Sequence, residues 1–211
     1  MIKAILFDLD GTLLDTHDLI LESMQHAVKT VLREDIPPER LMAKVGQPLS
    51  VQMWDFTGDR ELHDELLRVY REYNAVKHDG MVRPFGGVEE TLDELRAEGY
   101  PLGVVTSKRH DAAMQGLQLF GLDGYLNCMI GSDDWPEHKP HPGPVSHGAE
   151  LLGHDAKECL YVGDSPYDIQ AGNGAGCKTA AALWGMFSET VLLAEHPDFA
   201  CAGIRDVPCL L

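Results

Sequence analysis

The chain has 211 residues, 44% of them hydrophobic, enough for one large domain, or a domain with a modest insertion, around a real core. Its 34 acidic residues against 17 basic give a formal net charge of −17, which argues against nucleic acid and acidic membrane surfaces as partners. The five cysteines, Cys128, Cys159, Cys177, Cys201 and Cys209, are odd in number and scattered without a Cys-x-x-Cys pair, so neither a disulfide scaffold nor a zinc ribbon is indicated and a cytoplasmic protein with reduced thiols is expected.

In chain order, the first apolar run, Ala4 to Phe7, reads as a buried strand. Ending in two aspartates, it is too short and too acidic for a signal peptide or membrane span. From Thr16 to Gly80 the pattern is helical only: Leu19 to Leu32, a short helix after Pro37-Pro38, Ser50 to Phe56, and Arg60 to Val76. Further strands are expected at Pro101 to Val105, Tyr125 to Ile130, Cys159 to Val162 and Thr179 to Leu183. Helices fall between them, at Val88 to Glu98, His110 to Phe120 and Pro142 to Leu152. Apolar runs alternating with helical segments predict an α/β fold with a parallel sheet of at least five strands. The first connection spans roughly ninety residues, far beyond an ordinary βα unit, and implies an insertion. The division expected is a catalytic core, residues 1–15 and 81–211, and a helical cap, residues 16–80. The tail from Ser188 to Leu211 is expected to return to the core edge.

Asp8 and Asp10 lie two apart at the end of the first strand, so both carboxylates can emerge on one side of it. That edge is where open α/β sheets bind ligands. Two close carboxylates call for a cation between them or a proton on one; a hard, oxygen-seeking ion such as Mg2+ fits, and an acidic turn is the plain alternative. Gly11 permits a tight turn and Thr12 can tie it through its hydroxyl. Thr106 and Ser107 follow the second strand and can donate to a phosphate oxygen, although hydroxyls are common in loops. Lys139 sits in the stiff segment Lys139-Pro140-His141-Pro142-Gly143-Pro144. Asp164 and Asp168 follow the fourth strand, where Asp164 or Ser165 could equally be a helix N-cap.

The ordered set Asp8 and Asp10, Thr106, Lys139, then Asp164 and Asp168 resembles the four motifs of the haloacid dehalogenase superfamily over nearly the whole chain. The resemblance implies a Rossmann-like core whose first strand is central, and a mobile helical cap. It implies that Asp8 attacks phosphorus and that Asp10 serves as acid and base. It also implies that Thr106, Ser107 and Lys139 hold phosphoryl oxygens, and that Mg2+ binds Asp8, the Asp10 backbone carbonyl and Asp164, with Asp168 orienting the surroundings. Asp10, absent from the dehalogenases themselves, favours a phosphatase.

Substrate choice is expected in the cap. The loop Gly46-Gln47-Pro48 resembles the specificity loop of phosphoglycolate phosphatases, and Tyr70-Arg71-Glu72-Tyr73-Asn74 resembles a stretch of bacterial pyrophosphatases, although it also reads as an amphipathic helix with Arg at the rim. A small phosphorylated anion, inorganic pyrophosphate or 2-phosphoglycolate, is the expected substrate. The alternative is a phosphomutase of the β-phosphoglucomutase type, whose usual arginine just after this glycine is missing here. His138 and His141 are read as surface loop residues.

Overall fold

Strand β1 (Ala4–Phe7) is buried at every position in the computed structural model, which describes all 211 residues, as an all-apolar strand must be when both sheet faces are covered. After β1 the chain forms β2 (Leu14–Asp15) and enters four helices, α1 (His17–Val31), α2 (Pro38–Leu41), α3 (Leu49–Met53) and α4 (Arg60–Met81). It returns through β3 (Arg83–Pro84), α5 (Val88–Ala97), β4 (Leu102–Val105), α6 (His110–Leu119), β5 (Cys128–Ile130) and α7 (Gly143–Leu151). It ends with β6 (Cys159–Gly163), α8 (Pro166–Ala175), β7 (Lys178–Ala182), α9 (Glu189–Leu193) and β8 (Phe199–Cys201). The six long-range strands pair in parallel in the order β5-β4-β1-β6-β7-β8, with β1 between β4 and β6. This is the Rossmann-like α/β core expected from the sequence.

Alternation along β1 assigns the two faces: Ile5 and Phe7 join Val104 and Val162 on one, while Ala4 and Leu6 join Val105 and Tyr161 on the other. Each fully buried Leu, Ile or Phe contributes about 1.5–3 kcal/mol. Helices α1 to α4 enclose a third cluster of their own, built around Met24, Leu41, Met53 and Leu66. Where the chain leaves and re-enters the core, Leu14 pairs with Pro84 and Asp15 with Arg83 in a short antiparallel ribbon.

Several boundaries differ from expectation for local reasons. Helix α4 runs on past Val76 to Met81, where Gly80 does not interrupt it and the Val82 N–H still donates to the His78 carbonyl; at its other end Asp59 caps it, accepting from the N–H groups of Glu61 and Leu62. Strand β5 begins at Cys128, since Leu122–Tyr125 forms a 3-10 turn and the Asn127 side chain accepts from Leu102 N–H. Helix α3 stops at Met53. The tail supplies a sixth parallel strand, β8, at the sheet edge.

Candidate active site

The β1 ladder continues one residue beyond the strand, where Asp8 N–H donates to the Val162 carbonyl at 2.8 Å. The chain then turns sharply: Leu9 carbonyl accepts from Thr12, Leu13 and Leu14 N–H groups. Gly11 has φ +86°, in the region only glycine adopts freely, and a Cβ there would overlap the Asp164 carboxylate. The turn thereby brings β1's acids against the end of β6. Thr12 hydroxyl donates to Asp164 Oδ1 at 3.4 Å, and Trp184 Nε1 holds the turn by donating to Thr12 carbonyl at 3.0 Å.

Behind Asp8 lies a buried polar network. Lys139 Nζ donates to Asp8 Oδ1 at 2.8 Å, to Asp168 Oδ1 at 2.5 Å and to Tyr161 Oη at 3.1 Å. Tyr161 hydroxyl in turn donates toward Val105 carbonyl at 2.9 Å and Asp168 Oδ1 at 3.0 Å. Asp168 is also the third residue of the α8 capping box, its Oδ2 accepting from Ser165 N–H and Oγ. Ser165, then, is the N-cap, and Asp164 is free to face the cleft, where its Oδ2 accepts from Met186 N–H at 2.7 Å.

Carboxylate oxygens of Asp8, Asp164 and Asp168 lie within 4.8 Å of one another, all buried. Burial pushes Asp8 up to about 7, with Lys139 pulling down and Asp168 pushing up. Burial first, and the charges of Asp8 and Asp168 next, hold Asp164 well above the usual carboxylate range. For Lys139 burial favours the neutral amine, but Asp168 and Asp8 outweigh it and hold the ammonium charged. Three buried acids thus share one lysine, and a second cation would relieve the excess. The donors are all oxygen and suit a hard divalent ion.

Asp10 stands apart from this cluster. Both its oxygens accept from Lys108 Nζ, at 2.9 and 3.2 Å. Neither Lys108, in the loop after β4, nor Tyr161, on a buried strand, carries a sequence signal for these contacts. Thr106 is buried beside the cleft, and its hydroxyl accepts from Lys108 N–H at 3.2 Å. Ser107 hydroxyl donates to Gly46 carbonyl at 2.6 Å, clasping the loop before α3 to the end of β4. Gly46 has φ +100°, and a Cβ would press on Ser165 and Tyr167. Gln47 carbonyl accepts from Gln52 Nε2 at 2.6 Å.

A cleft of about 400 Å3 joins these parts, bordered by Asp8, Asp10, Thr106, Ser107 and Asp164 from the core and by Gly46, Gln47 and Pro48 from the helical insert. Lys139 and Asp168 do not line it; they support Asp8 from beneath. His138 and His141 make no hydrogen bond to this network although they flank Lys139, and His141 pairs with Glu137 on the surface at 2.9 Å. Trp135 stacks on His147 and takes no part in the site.

Buried acids at the C-terminal edge of a parallel sheet, beneath an inserted helical layer, define a hydrolase of the phosphoryl-transfer type rather than a binding module. The chain belongs to the haloacid dehalogenase-like hydrolase family, whose model matches residues 5–182, and it is an enzyme of the family's phosphohydrolase kind. It is 38% identical over 207 residues to the pyrophosphatase PpaX of Bacillus velezensis, covering 98% of this chain and 94% of that protein. It is 37% identical over 210 residues to the pyrophosphatase PpaX of Anoxybacillus flavithermus, covering 100% and 97%. A crystal structure described as a predicted phosphoglycolate phosphatase from Haemophilus somnus superposes with a TM-score of 0.91 at 28% identity, covering 99% of this chain and 97% of the other. No helix is long and apolar enough to cross a membrane.

Proposed function

We propose that the protein is a Mg2+-dependent phosphohydrolase of a small phosphorylated anion, with inorganic pyrophosphate and 2-phosphoglycolate the leading substrates, acting through an aspartyl-phosphate on Asp8. The observation that carries this reading is the buried triad of Asp8, Asp164 and Asp168 set against a single lysine.

With Oδ1 of Asp8 engaged by Lys139, Oδ2 is the oxygen available to attack phosphorus. A bond forms between Asp8 and phosphorus, and the bond to the leaving oxygen breaks as Asp10 gives that oxygen a proton. Asp10 then takes a proton from water, whose oxygen attacks phosphorus and releases Asp8 as a free carboxylate with inorganic phosphate. Thr106 donates to a phosphoryl oxygen, Ser107 joins it once its hydroxyl leaves the Gly46 carbonyl, and Lys139 neutralises charge from beneath Asp8. Asp8, the Asp10 backbone carbonyl and Asp164 would hold Mg2+, which supplies Lewis-acid neutralisation of the transferring group. Asp168 keeps Lys139 in place. Residues 16–80 act as a mobile cap that excludes water, with Gly46, Gln47 and Pro48 setting substrate choice. A cleft of about 400 Å3 supports a compact substrate.

Phosphate release measured over pyrophosphate, 2-phosphoglycolate and a panel of sugar phosphates, with and without Mg2+, tests this. Turnover of one of the first two only with the metal is expected. Turnover of neither overturns the substrate assignment, and isomerisation of a sugar phosphate without net phosphate release would make the enzyme a mutase.

A further inference from the structure

The inserted helices present one face of α4 to the cleft: Tyr70, Arg71, Asn74, Ala75 and His78 all border it, a spacing of one, four, five and eight that keeps them on one side. Tyr70 is buried and close enough to Asp10 for the aspartate's charge to act on its hydroxyl, so this face lies on the Asp10 side of the site. Three cations border the cleft, Arg71, Lys108 and Arg109. Lys108 is engaged by Asp10, and Arg109 by Asp133 at 3.2 Å. Arg71 has no carboxylate or carbonyl partner, although the protein carries twice as many acidic as basic residues. The neighbouring arginine on the same helix, Arg68, is fully occupied by Glu65 and Glu72.

Arg71 is also set beside another guanidinium. Partial burial and the charge of Arg109, which comes from the residue just before α6 in the core, hold the Arg71 guanidinium below its ordinary value. Asp133 lies near enough to act on it, but its carboxylate is taken up by Arg109 and by His110 N–H at 2.7 Å. Two like charges that border one cleft and act on each other, one without a counter-ion, favour an anion between them.

We propose that Arg71 is a specificity-determining residue that binds a second anionic group of the substrate, on the leaving-group side of the phosphorus attacked by Asp8. The substrate class is then a compact molecule with two oxyanions a few bonds apart, of which a diphosphate is the simplest. This rests on the phosphohydrolase reading above, because Asp10 marks the leaving-group side. Planar and always charged, the guanidinium can bind such a group with two parallel N–H bonds. An anion shared by Arg71 and Arg109 would also draw the helical insert toward the core, so that the substrate's own charge closes the site.

The test compares wild type, Arg71→Met and Arg71→Lys on pyrophosphate and on 4-nitrophenyl phosphate, which has no second anionic group. Arg71 supports no other side chain, so both variants are expected to fold. The ratio of kcat/KM for pyrophosphate to that for the aryl phosphate is expected to fall about 10- to 100-fold in Arg71→Met, the worth of one or two charge-assisted hydrogen bonds. Most of the change should lie in KM, with Arg71→Lys in between. Equal losses on both substrates, or no change in the ratio, overturn the proposal. Calorimetric binding of imidodiphosphate against orthophosphate gives a readout free of turnover. Wild type should prefer the former and Arg71→Met should lose the preference; a retained preference overturns the role of Arg71. If wild type hydrolyses neither substrate, the phosphohydrolase reading fails, and imidodiphosphate binding still decides whether Arg71 holds a second anion.

Discussion

Raising the pH from about 5.5 to about 8 without metal should destabilise the protein through Asp8. The carboxyl is pushed from an ordinary 3.8 to about 7 in the folded state, so the folded protein keeps a proton over a window in which the unfolded chain has lost it. The stability that Asp8 contributes this way is fully present below the unfolded value and is lost as pH rises through about 7. Integrated between those two conditions, Asp8 alone accounts for about 2 kcal/mol. Asp164, shifted in the same direction, adds to it. Carboxyls held low by surface partners, such as Asp79 and Asp155, act with the opposite sign, but only in more acidic solution. Urea unfolding of wild type and Asp8→Asn at the two pH values isolates the effect, because the variant lacks the titrating group. Wild type should lose about 2 kcal/mol more than Asp8→Asn on the alkaline step. Saturating Mg2+ at about 100 times its dissociation constant should return about 2.7 kcal/mol at the higher pH and less at the lower one, where the metal must displace a proton. Identical pH dependence in the two proteins would refute the claim that Asp8 is buried against excess negative charge.

Three further substitutions probe the supports of the site. Gly11→Ala forces a left-handed backbone conformation, roughly 1–2 kcal/mol by itself, and drives a methyl group into Asp164, so both thermal stability and the Mg2+-induced stabilisation should fall. Tyr161→Phe removes a hydroxyl shared by Lys139, Asp168 and Val105, and should lower unfolding free energy by about 1–3 kcal/mol. Lys108→Met releases the Asp10 carboxylate and should lower kcat by about tenfold or more while leaving the fold intact by circular dichroism, since general acid–base catalysis is worth roughly 100- to 10,000-fold when the acid is well placed.

Much of this arrangement is legible in the sequence because the core strands are apolar runs with acids or hydroxyls at their ends. Ala4–Phe7, Leu102–Val105 and Cys159–Gly163 sit side by side, and that adjacency places Asp8, Thr106 and Asp164 at one edge. What the sequence hides is pairing across long separations. Nothing in the order of residues says that Lys108 reaches back to Asp10, ninety-eight positions earlier, or that Tyr161, on an otherwise aliphatic strand, aims its hydroxyl into the Lys139 network. In sequence the helix-cap reading falls on Asp164 or Ser165, and Asp168 is expected only to orient the surroundings; in the structure Asp168 contacts Lys139 through one oxygen and completes the α8 capping box through the other. Elements of two or three residues, such as the ribbon of β2 with β3 and the edge strand β8, carry too few residues for periodicity to mark them. Arg71 is ambiguous in sequence as a helix-rim residue, and only its unpaired position on the cleft sets it apart.

Phosphorylation of Asp8 can be read by trapping the acyl phosphate itself. Enzyme turning over pyrophosphate with Mg2+ is quenched and reduced with borohydride, which converts an aspartyl-phosphate to homoserine, and the tryptic peptide bearing residue 8 is read by mass spectrometry. Homoserine is expected at position 8 only when substrate and metal are both present, with no phosphate release from Asp8→Asn. Sustained phosphate release with Asp8 unmodified, or an active Asp8→Asn enzyme, would contradict it.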